Sequence, residues 1–407
     1  MCTLTSDLGD GPDTLLRESD VISLHCPLTP ECNKMNRRRF IAFALASSLA
    51  SASAEEQRKF RVAVIGHTGR GNYGHDLDKV WRLLPETEIV AVADADAKGL
   101  AAELKKLKLD RGFADYRAML AEVKPDIVAI CPRCIDQHRD MALAAIECGA
   151  RGIYIEKPLC RSLAEADEII AACERRNVKL AVAHRNRYHP ALPVVTRMVK
   201  EGAIGELQEL RGRGKEDERG GVLDLWVLGA HVFNLAHYFA GRPLACTAGL
   251  LQDGRPVTRA DIQEGAEGVG PVAGNELHAR FETERGVPFL FRSVRLAGNK
   301  AAGFGLQLVG TKGTIDLRVD MDPFAVLLAS GKPVGPAGDD AVAPVKSHEL
   351  AARDLLAAMR EDRAPLCDAK AGRMTIEMIS AVLESHRTGG RRVTFPLATR
   401  QNPLSLV

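Results

Sequence analysis

The segment Phe60-Arg-Val-Ala-Val-Ile-Gly-His-Thr-Gly-Arg-Gly-Asn-Tyr-Gly74 decides how this chain is expected to fold. It opens with a mainly apolar, β-branched run that is typical of a buried strand in a parallel sheet. The glycines that follow fit the pattern G-x-G-x-x-G, with one more glycine at the strand end. A backbone without Cβ atoms can approach a pyrophosphate closely. We therefore predict that a dinucleotide is bound by Gly66, His67, Thr68, Gly69, Arg70 and Gly71.

Two further signals accompany the glycine loop. Apolar residues at Leu77, Val80, Trp81 and Leu84 have helical spacing, so a helix N-terminus is expected to offer N–H groups to the phosphates. A second strand over residues 88–93 ends in Asp94, at the distance expected of a carboxylate that binds ribose hydroxyls. A carboxylate repels a 2′-phosphate, which favours NAD, although the nearby Lys98 leaves NADP possible.

Strand and helix patterns then alternate along the chain. Strands are predicted at residues 126–130, 152–155 and 179–182, and helices at 114–123, 136–148 and 163–176. This alternation indicates an α/β fold with a doubly wound parallel sheet of the Rossmann type. We place this NAD(P)-binding domain at residues 55–182, and a second domain for substrate binding and oligomerisation at 183–407.

Composition excludes several classes of protein. The 407 residues suit two globular domains, with 46% hydrophobic and 27% charged residues. A net charge of +2 gives no electrostatic reason to bind nucleic acid or an anionic membrane. Of ten cysteines, only Cys131 and Cys134 form a CxxC, with no second pair or histidine pair, so we predict no metal site.

The beginning of the chain has a different character. Three arginines at 37–39 precede an apolar run at 40–50 and a small-residue exit at 51–54, so residues 35–54 read as a twin-arginine signal peptide. This predicts an exported, periplasmic protein without a membrane anchor after cleavage, or a cytoplasmic one if the signal is not used. Residues 15–30 resemble a short stretch of D-2-hydroxyacid dehydrogenases without that family's glycine loop. Residues 1–34 are therefore predicted to be a disordered, non-native extension.

Several motifs resemble the glucose–fructose oxidoreductase/inositol dehydrogenase (Gfo/Idh/MocA) family, over about residues 61–396. They are Val62-Ala-Val-Ile-Gly66, the strand ending at Asp94, Ala129-Ile-Cys-Pro132 followed by His138, Glu156-Lys157-Pro158, Arg187-Tyr188-His189-Pro190, Gly202-x-x-Gly205-Glu206 and Gly229-Ala-His231. The resemblance implies a second α/β domain with an open, mostly antiparallel sheet. The second half agrees, with strand-like runs at 207–213, 245–251, 276–283, 288–296, 306–309 and 314–319.

The resemblance also implies site residues. Cys131, Pro132, His138 and Glu156 would lie at the cofactor, and Lys157 would touch both the cofactor and a substrate hydroxyl. His231 would exchange a proton with that hydroxyl. The family carries an aspartate one helical turn before this histidine. Here that position is Val227, which puts the acid–base pair in doubt.

Neighbouring polar residues complete the predicted site. Asp224 and Asn234, on either side of His231, are expected to orient a substrate. After the last Rossmann strand, Arg185 or Asn186 is expected to face the nicotinamide, and Arg187 a substrate oxygen.

Three functions remain open at this point. The first is hydride transfer between NAD and a sugar or polyol, by an exported homodimer or homotetramer that retains its cofactor. The second is a lyase or glycosidase that uses NAD transiently. The third is a non-catalytic protein that binds a nucleotide or a sugar.

Overall fold

The computed structural model of the protein describes residues 3–5, 23–25, 58–296, 304–336 and 348–407. The chain divides into the units Met1–Arg58 and Lys59–Val407. In the first unit, strands β1 (Thr3–Thr5) and β2 (Ser23–His25) pair in antiparallel fashion. The rest of the predicted extension and the whole predicted signal peptide lie outside the described residues.

The second unit begins with a six-stranded sheet. Its strands are β3 (Phe60–Ile65), β4 (Thr87–Ala93), β5 (Gly112–Phe113), β6 (Ile127–Ile130), β7 (Gly152–Ile155) and β8 (Lys179–Val182). Their order is β5-β4-β3-β6-β7-β8, and every neighbouring pair is parallel. The strands β6 and β7 are buried along their whole length, as expected of a parallel sheet covered on both faces.

Four helices connect these strands: α1 (Ala97–Leu107), α2 (Tyr116–Val123), α3 (His138–Glu147) and α4 (Leu163–Arg176). Their ends follow from local sequence. The Ser162 side chain caps α4 by accepting from the Glu165 N–H, and Asn177 ends the helix in the left-handed conformation. The predicted doubly wound Rossmann architecture is confirmed.

One predicted helix is wrong. Residues 77–84 form turns that end in a single 3₁₀ turn, Val80–Leu83, instead of an α-helix. Asn72 and Asp76, just before this segment, adopt positive φ angles of 52° and 73°, so no α-helix runs from the glycine loop into it. Leu77, Val80, Trp81 and Leu84 are nevertheless buried in the core of this sheet face, so their spacing predicted burial correctly and the backbone incorrectly. The glycine loop therefore has no α-helix N-terminus behind it.

A second, larger sheet follows. Its strands are β9 (Leu207–Arg213), β10 (Pro243–Gln252), β11 (Arg255–Pro256), β14 (Glu276–Thr283), β15 (Phe289–Val294), β16 (Gly305–Gly310), β17 (Thr314–Arg318), β18 (Ala325–Leu327), β19 (Lys332–Pro333) and β20 (Val393–Thr394); β12 (Gln263–Glu264) and β13 (Pro271–Val272) form a separate hairpin. The order is β11-β10-β14-β15-β9-β16-β17-β18-β19, with β20 beside β10. Only β9 and β15 are parallel among these described strands, which confirms the mostly antiparallel prediction.

The remaining helices are α5 (Ala191–Lys200), α6 (Gly221–Asp224), α7 (Ala230–Ala240), α8 (Glu349–Glu361) and α9 (Ala369–Arg387). A π-helical turn, Leu225–Gly229, joins α6 to α7. Helices α7 and α9 pack on the second sheet, where Phe233 of α7 meets three strand phenylalanines edge-on, with ring centroids within 5.4 Å.

Helix α8 connects the C-terminal part of the chain to the parallel sheet. It lies within the predicted second domain, yet it packs against β7 and β8 of the parallel sheet. Its Leu355 and Leu356 share a core cluster with Val62 and Trp81. Just before the helix, His348 Nδ1 lies 2.6 Å from the Tyr154 hydroxyl of β7. The C-terminal part of the chain thus returns to cover the Rossmann sheet beside the turns at 77–84.

Within the parts of the chain that the structure describes, no helix is long and apolar enough to cross a membrane. The same residues contain no group of three or more histidine, cysteine or carboxylate side chains placed to hold a metal ion.

We predict that Leu355→Ala destabilises the parallel sheet. Leu355 is fully buried, and its truncation should cost about 2–5 kcal/mol of unfolding free energy. Hydrogen exchange in β7 and β8 should accelerate along with the shift in denaturant midpoint. Leu350→Ala on the same helix is the control, because Leu350 is 37% exposed and should change stability by about 0.5 kcal/mol or less. Equal effects of the two substitutions would contradict this placement of α8.

Candidate active site

The carboxyl ends of the parallel strands open onto a cleft of about 930 Å³. Ligands of open α/β sheets gather at this edge. The first domain contributes Gly74, His75, Asp76, Arg133, Lys157 and Arg185 to the cleft. The second sheet and its helices contribute Lys215, Glu216, Asp217, Glu218, Arg219, Val227, Leu228, Glu267, Leu296, Phe304, Val319, Asp320 and Met321.

The glycine loop needs its glycines for close packing. A Cβ at Gly66 would lie 2.2 Å from the Tyr73 ring, and one at Gly71 would lie 2.2 Å from the Arg133 backbone nitrogen. Gly69 has a φ of 80° and faces open space, because a Cβ there would meet no atom within 4 Å. The loop thus packs on its own tyrosine and on the segment after β6, and it exposes bare backbone at Gly69.

Asp94 follows β4 directly and is buried. Its side chain is 1% exposed. The carboxylate accepts hydrogen bonds from the Thr68 N–H and hydroxyl, the Tyr73 hydroxyl and the Asp96 N–H. Burial alone would raise the pKa of Asp94, but these hydrogen bonds outweigh burial and lower it. Asp94 therefore ties the glycine loop to β4, and its contact with the ribose stays a prediction.

The glycine loop is also tied to the segment between β6 and α3. Arg70 pairs with Asp136, and His67 Nδ1 hydrogen-bonds to the Gln137 side chain. At the end of β6, Cys131 is buried in the core cluster of this sheet face, as a small core residue would be.

His138 connects two loops of the predicted site. Its ring nitrogens lie 2.7 Å from the Pro132 carbonyl oxygen and 2.9 Å from the Pro158 carbonyl oxygen. His138 is fully buried, so it fixes these loops against each other from below the surface. It holds the backbone next to Lys157 and does not face the cleft itself.

Glu156 is the buried centre of the Glu-Lys-Pro motif. Its side chain is 1% exposed, Oε1 lies 2.7 Å from His75 Nδ1, and Oε2 accepts the Lys157 N–H. Burial would raise the pKa of Glu156, but the hydrogen bond from His75 and the charge of Lys157 hold it well below its usual range. A Cβ at Gly74 would lie 2.9 Å from the Glu156 side chain, so the glycine lets the loop close over this carboxylate.

Lys157 lines the cleft with 6% of its surface exposed. Its Nζ donates to the Val227 carbonyl at 2.8 Å. Val227 lies in the π-helical turn before α7, a local geometry that often marks functional sites. The residue at the aspartate position of the resembled family thus contacts the lysine through its backbone.

His231 is 4% exposed, and the positive charge of Lys157 acts on its ring. Burial and the charge of Lys157 lower the pKa of His231 to about 3, while Asp320 opposes this shift. Its Nδ1 lies 3.3 Å from the Asn186 side-chain nitrogen, and the His184 ring meets it edge-on at 5.9 Å. His231 is therefore a neutral imidazole at neutral pH.

Two cleft residues were missed by the sequence analysis. Asp320, just after β17, accepts from Arg185 Nε at 3.0 Å and pairs with its Nη2 at 2.8 Å. His75 contacts Glu156 and lines the cleft. Neither residue belongs to a recognisable motif, and Asp320 comes from a strand end far along the chain, so only the fold reveals their proximity to Lys157.

Three predicted substrate contacts turn into the protein interior. Arg187 donates to the Asn234 carbonyl at 3.2 Å and stacks on the Tyr238 ring. The Asn234 side chain is buried near Thr375 and Cys367. Asp224 is fully buried and accepts from the Ser293 hydroxyl and from the Lys215 and Glu216 N–H groups. Their contacts with a substrate stay predictions.

The edge of the sheet fits a dinucleotide at two points. No Cβ obstructs the backbone at Gly69, whose N–H donates to Asn72 Oδ1 at 3.0 Å, and Lys157 lies at the carboxyl end of β7, in the interdomain cleft.

Comparison with known proteins agrees with this geometry. Residues 60–184 match the GFO/IDH/MocA oxidoreductase family, NAD-binding Rossmann fold. This segment is similar to the NAD-binding Rossmann domains of that family. The chain is 34% identical to D-apiose dehydrogenase of Paraburkholderia graminis over 160 residues, which cover 39% of this chain and 41% of that protein. It therefore spans less than half the length of this relative.

Longer matches extend into the second domain. Levoglucosan dehydrogenase of Pseudarthrobacter phenanthrenivorans is 25% identical over 273 residues, which cover 61% of this chain and 69% of that protein. A solved structure of levoglucosan dehydrogenase in complex with NADH and levoglucosan superposes with a TM-score of 0.65 at 20% identity, covering 83% of this chain and all of that one. The two-domain fold is thus shared.

We predict that Asp94→Asn destabilises the protein before any cofactor is added. The amide keeps one acceptor oxygen where the carboxylate has two, so it cannot accept from the Thr68 and Asp96 N–H groups and from both hydroxyls, and this should cost about 1–3 kcal/mol of unfolding free energy. The stability from Asp94 is present above the pKa of an unfolded aspartate and is lost as the pH falls through its lowered folded pKa. The difference from wild type, measured by denaturant unfolding, should therefore narrow in acid.

Asp96→Asn is the matched control, because Asp96 is exposed and asparagine caps a helix as well as aspartate does. If Asp94→Asn kept wild-type stability and lost only affinity for NAD, Asp94 would be a ribose ligand as the sequence suggested.

Proposed function

We propose that this protein is an NAD(P)-dependent oxidoreductase that acts on a hydroxyl-bearing carbon of a sugar or polyol. The observation that carries the proposal is the position of Lys157. Its ammonium group lies at the carboxyl end of β7, inside the interdomain cleft and close to His231. The family of residues 60–184 and the sugar dehydrogenases similar to this chain support the same chemistry.

The residues of the cleft have distinct tasks in this proposal. NAD, when bound, supplies the carbon that accepts a hydride from the substrate. The glycine loop and the end of β7 would hold it, through Gly69 and Lys157. The Lys157 ammonium stabilises negative charge that develops on the substrate oxygen, because the cleft is partly shielded from water. His231 lies beside it as the second group able to hydrogen-bond to that oxygen.

The charges of the cleft favour a neutral substrate. Four of its five lysine and arginine side chains already lie near carboxylates: Arg133 lies 3.6 Å from Glu267, Lys215 lies 3.4 Å from Asp217, Arg219 pairs with Asp217, and Arg185 pairs with Asp320. The fifth, Lys157, donates to the Val227 carbonyl. A phosphorylated or carboxylated sugar that bound to any of the four would have to displace a carboxylate. An uncharged polyhydroxyl compound can hydrogen-bond to the same groups without doing so.

Export and cofactor retention are a further part of the proposal. The twin-arginine pattern at residues 35–54 suggests that the folded protein reaches the periplasm. Free NAD is scarce there, so we expect the cofactor to be loaded before export and recycled in place by paired oxidation and reduction.

We also propose a homodimer or homotetramer. One face of the second sheet is covered by α7 and α9. Its other face carries a wide depression of about 770 Å³, lined by charged and polar side chains that include Arg211, His278, Arg280 and Arg292. A second copy placed face to face would cover this surface.

We predict that protein purified from the periplasmic fraction carries stoichiometric NAD or NADP. Denaturing the native protein and assaying the supernatant enzymatically gives the amount and type of dinucleotide. Neutral sugars and polyols, added singly, should then reduce the bound cofactor and raise its near-ultraviolet absorbance. Phosphorylated sugars are the matched controls and should not.

Protein that is empty and does not bind added NAD would contradict the dinucleotide site. Protein that is empty but binds NAD would contradict only the closed recycling of cofactor. Release of an aglycone from a glycoside, without net reduced cofactor, would replace the oxidoreductase by a lyase or glycosidase that uses NAD transiently.

A further inference from the structure

A carboxylate, an amide and an imidazole form a connected row beside Lys157. The Asn186 side-chain nitrogen lies 3.3 Å from Asp320 Oδ1 and 3.3 Å from His231 Nδ1. The Asn186 side-chain oxygen accepts from the Asp320 backbone N–H, also at 3.3 Å. Asn186 therefore contacts Asp320 twice and His231 once.

Asp320 determines which way the Asn186 amide points. A carboxylate oxygen only accepts hydrogen bonds, and a backbone N–H only donates them. The amide nitrogen of Asn186 must therefore face Asp320 Oδ1, and its oxygen must face the N–H. If the amide were rotated by 180°, its oxygen would face Asp320 Oδ1 and its nitrogen would face the Asp320 N–H. Two acceptors would then meet at the first contact and two donors at the second.

The orientation of the amide in turn determines where the His231 proton lies. The same amide nitrogen that bonds to Asp320 has its second hydrogen available for His231 Nδ1. Nδ1 must accept this hydrogen bond, so the proton of the neutral ring is on Nε2. An aspartate at position 227 would have offered an acceptor, but Val227 offers the ring none from its side chain.

Asp320 is itself held firmly in place. Arg185 bonds to both of its carboxylate oxygens, and its backbone has a φ of 58°, an uncommon conformation for a residue other than glycine. Burial would raise the pKa of Asp320, but His231 and Arg185 outweigh burial and hold it well below its usual range. Asp320 is therefore an ionised acceptor at neutral pH.

We propose that Asp320 is a positioning residue that, through Asn186, holds His231 as a neutral imidazole protonated on Nε2. This inference rests on the proposed function for its role in chemistry. There, His231 donates a hydrogen bond from Nε2 to the substrate oxygen, and the hydroxyl proton that oxidation releases passes to the amine form of Lys157, which becomes the ammonium. The histidine then assists Lys157 in stabilising negative charge on that oxygen.

The surroundings of His231 agree with a neutral ring. The charged groups that face it are Lys157, Arg185, Asp320 and Glu156. The uncharged neighbours are the rings of His184 and Phe304, at 5.9 Å and 6.5 Å between centroids. The two positive groups and burial lower the pKa of the ring to about 3.

Solid-state nuclear magnetic resonance of the full chain labelled with ¹⁵N,¹³C-histidine tests this proposal. Signals of His231 are assigned by difference from a His231→Gln sample. The wild-type ring at neutral pH should show protonated Nε2 and unprotonated Nδ1. Asp320→Asn, which no longer dictates the orientation of the Asn186 amide, should convert this single form into a mixture of two tautomers.

Asp322→Asn is the control, because Asp322 is exposed on the same connection and should leave the His231 signals unchanged. A proton on Nδ1 in the wild-type protein would overturn the proposal, and so would an unchanged tautomer in Asp320→Asn. If Asp320→Asn fails to fold, the wild-type spectrum still decides, with Asn186→Leu as the second comparison.

The measurement needs neither cofactor nor substrate. Absence of hydride transfer would therefore refute the proposed function and leave the tautomer result standing. A proton on Nδ1 would refute the role of Asp320 and leave the proposed function standing.

Discussion

The position of Lys157 and of the glycine loop at the end of β7 depends above all on the buried carboxylate of Glu156. This side chain accepts the backbone N–H of Lys157 and hydrogen-bonds to His75, while Gly74 closes over it. A buried charge is tolerated only when it is paired and hydrogen-bonded, so the glycine loop and the end of β7 are fixed together. Because Lys157 follows directly, its position in the cleft is set by the same constraint. Its contact with the Val227 carbonyl then joins the Rossmann domain to the second domain.

Much of the fold was predictable because its signals are local. Strands such as β7 and β8 and the helix α4 begin and end at the predicted residues, since apolar runs and capping residues act over short distances. The turns at 77–84 were predicted as a helix because apolar residues with helical spacing indicate which side chains are buried and do not determine the backbone conformation. The return of α8 to the parallel sheet depends on packing between distant segments, which no local pattern encodes.

The site shows the same division between local and distant information. Lys157 and His231 were found from motifs; the structure places Lys157 in the cleft and buries His231 where the charge of Lys157 acts on it. Asp94 was correctly predicted to follow a strand. The hydrogen bonds that its carboxylate accepts from the Thr68 and Tyr73 hydroxyls depend on how the loop folds back, which residue spacing does not indicate. Only the fold shows that Asp320 lies near His231. Its carboxylate acts on the ring in a chain that has valine at position 227, where the resembled family has aspartate.

In the proposed reaction, Lys157 stabilises the substrate oxygen during hydride transfer. Single-turnover reduction of the bound cofactor measures this contribution of Lys157 to the rate. Lys157→Met should retain its dinucleotide yet reduce it at least about 100-fold more slowly with a sugar that the wild type oxidises. Lys79→Met, at an exposed lysine paired with Asp76, serves as the control and should match the wild-type rate. A wild-type rate in Lys157→Met, with the cofactor still bound, would contradict the account.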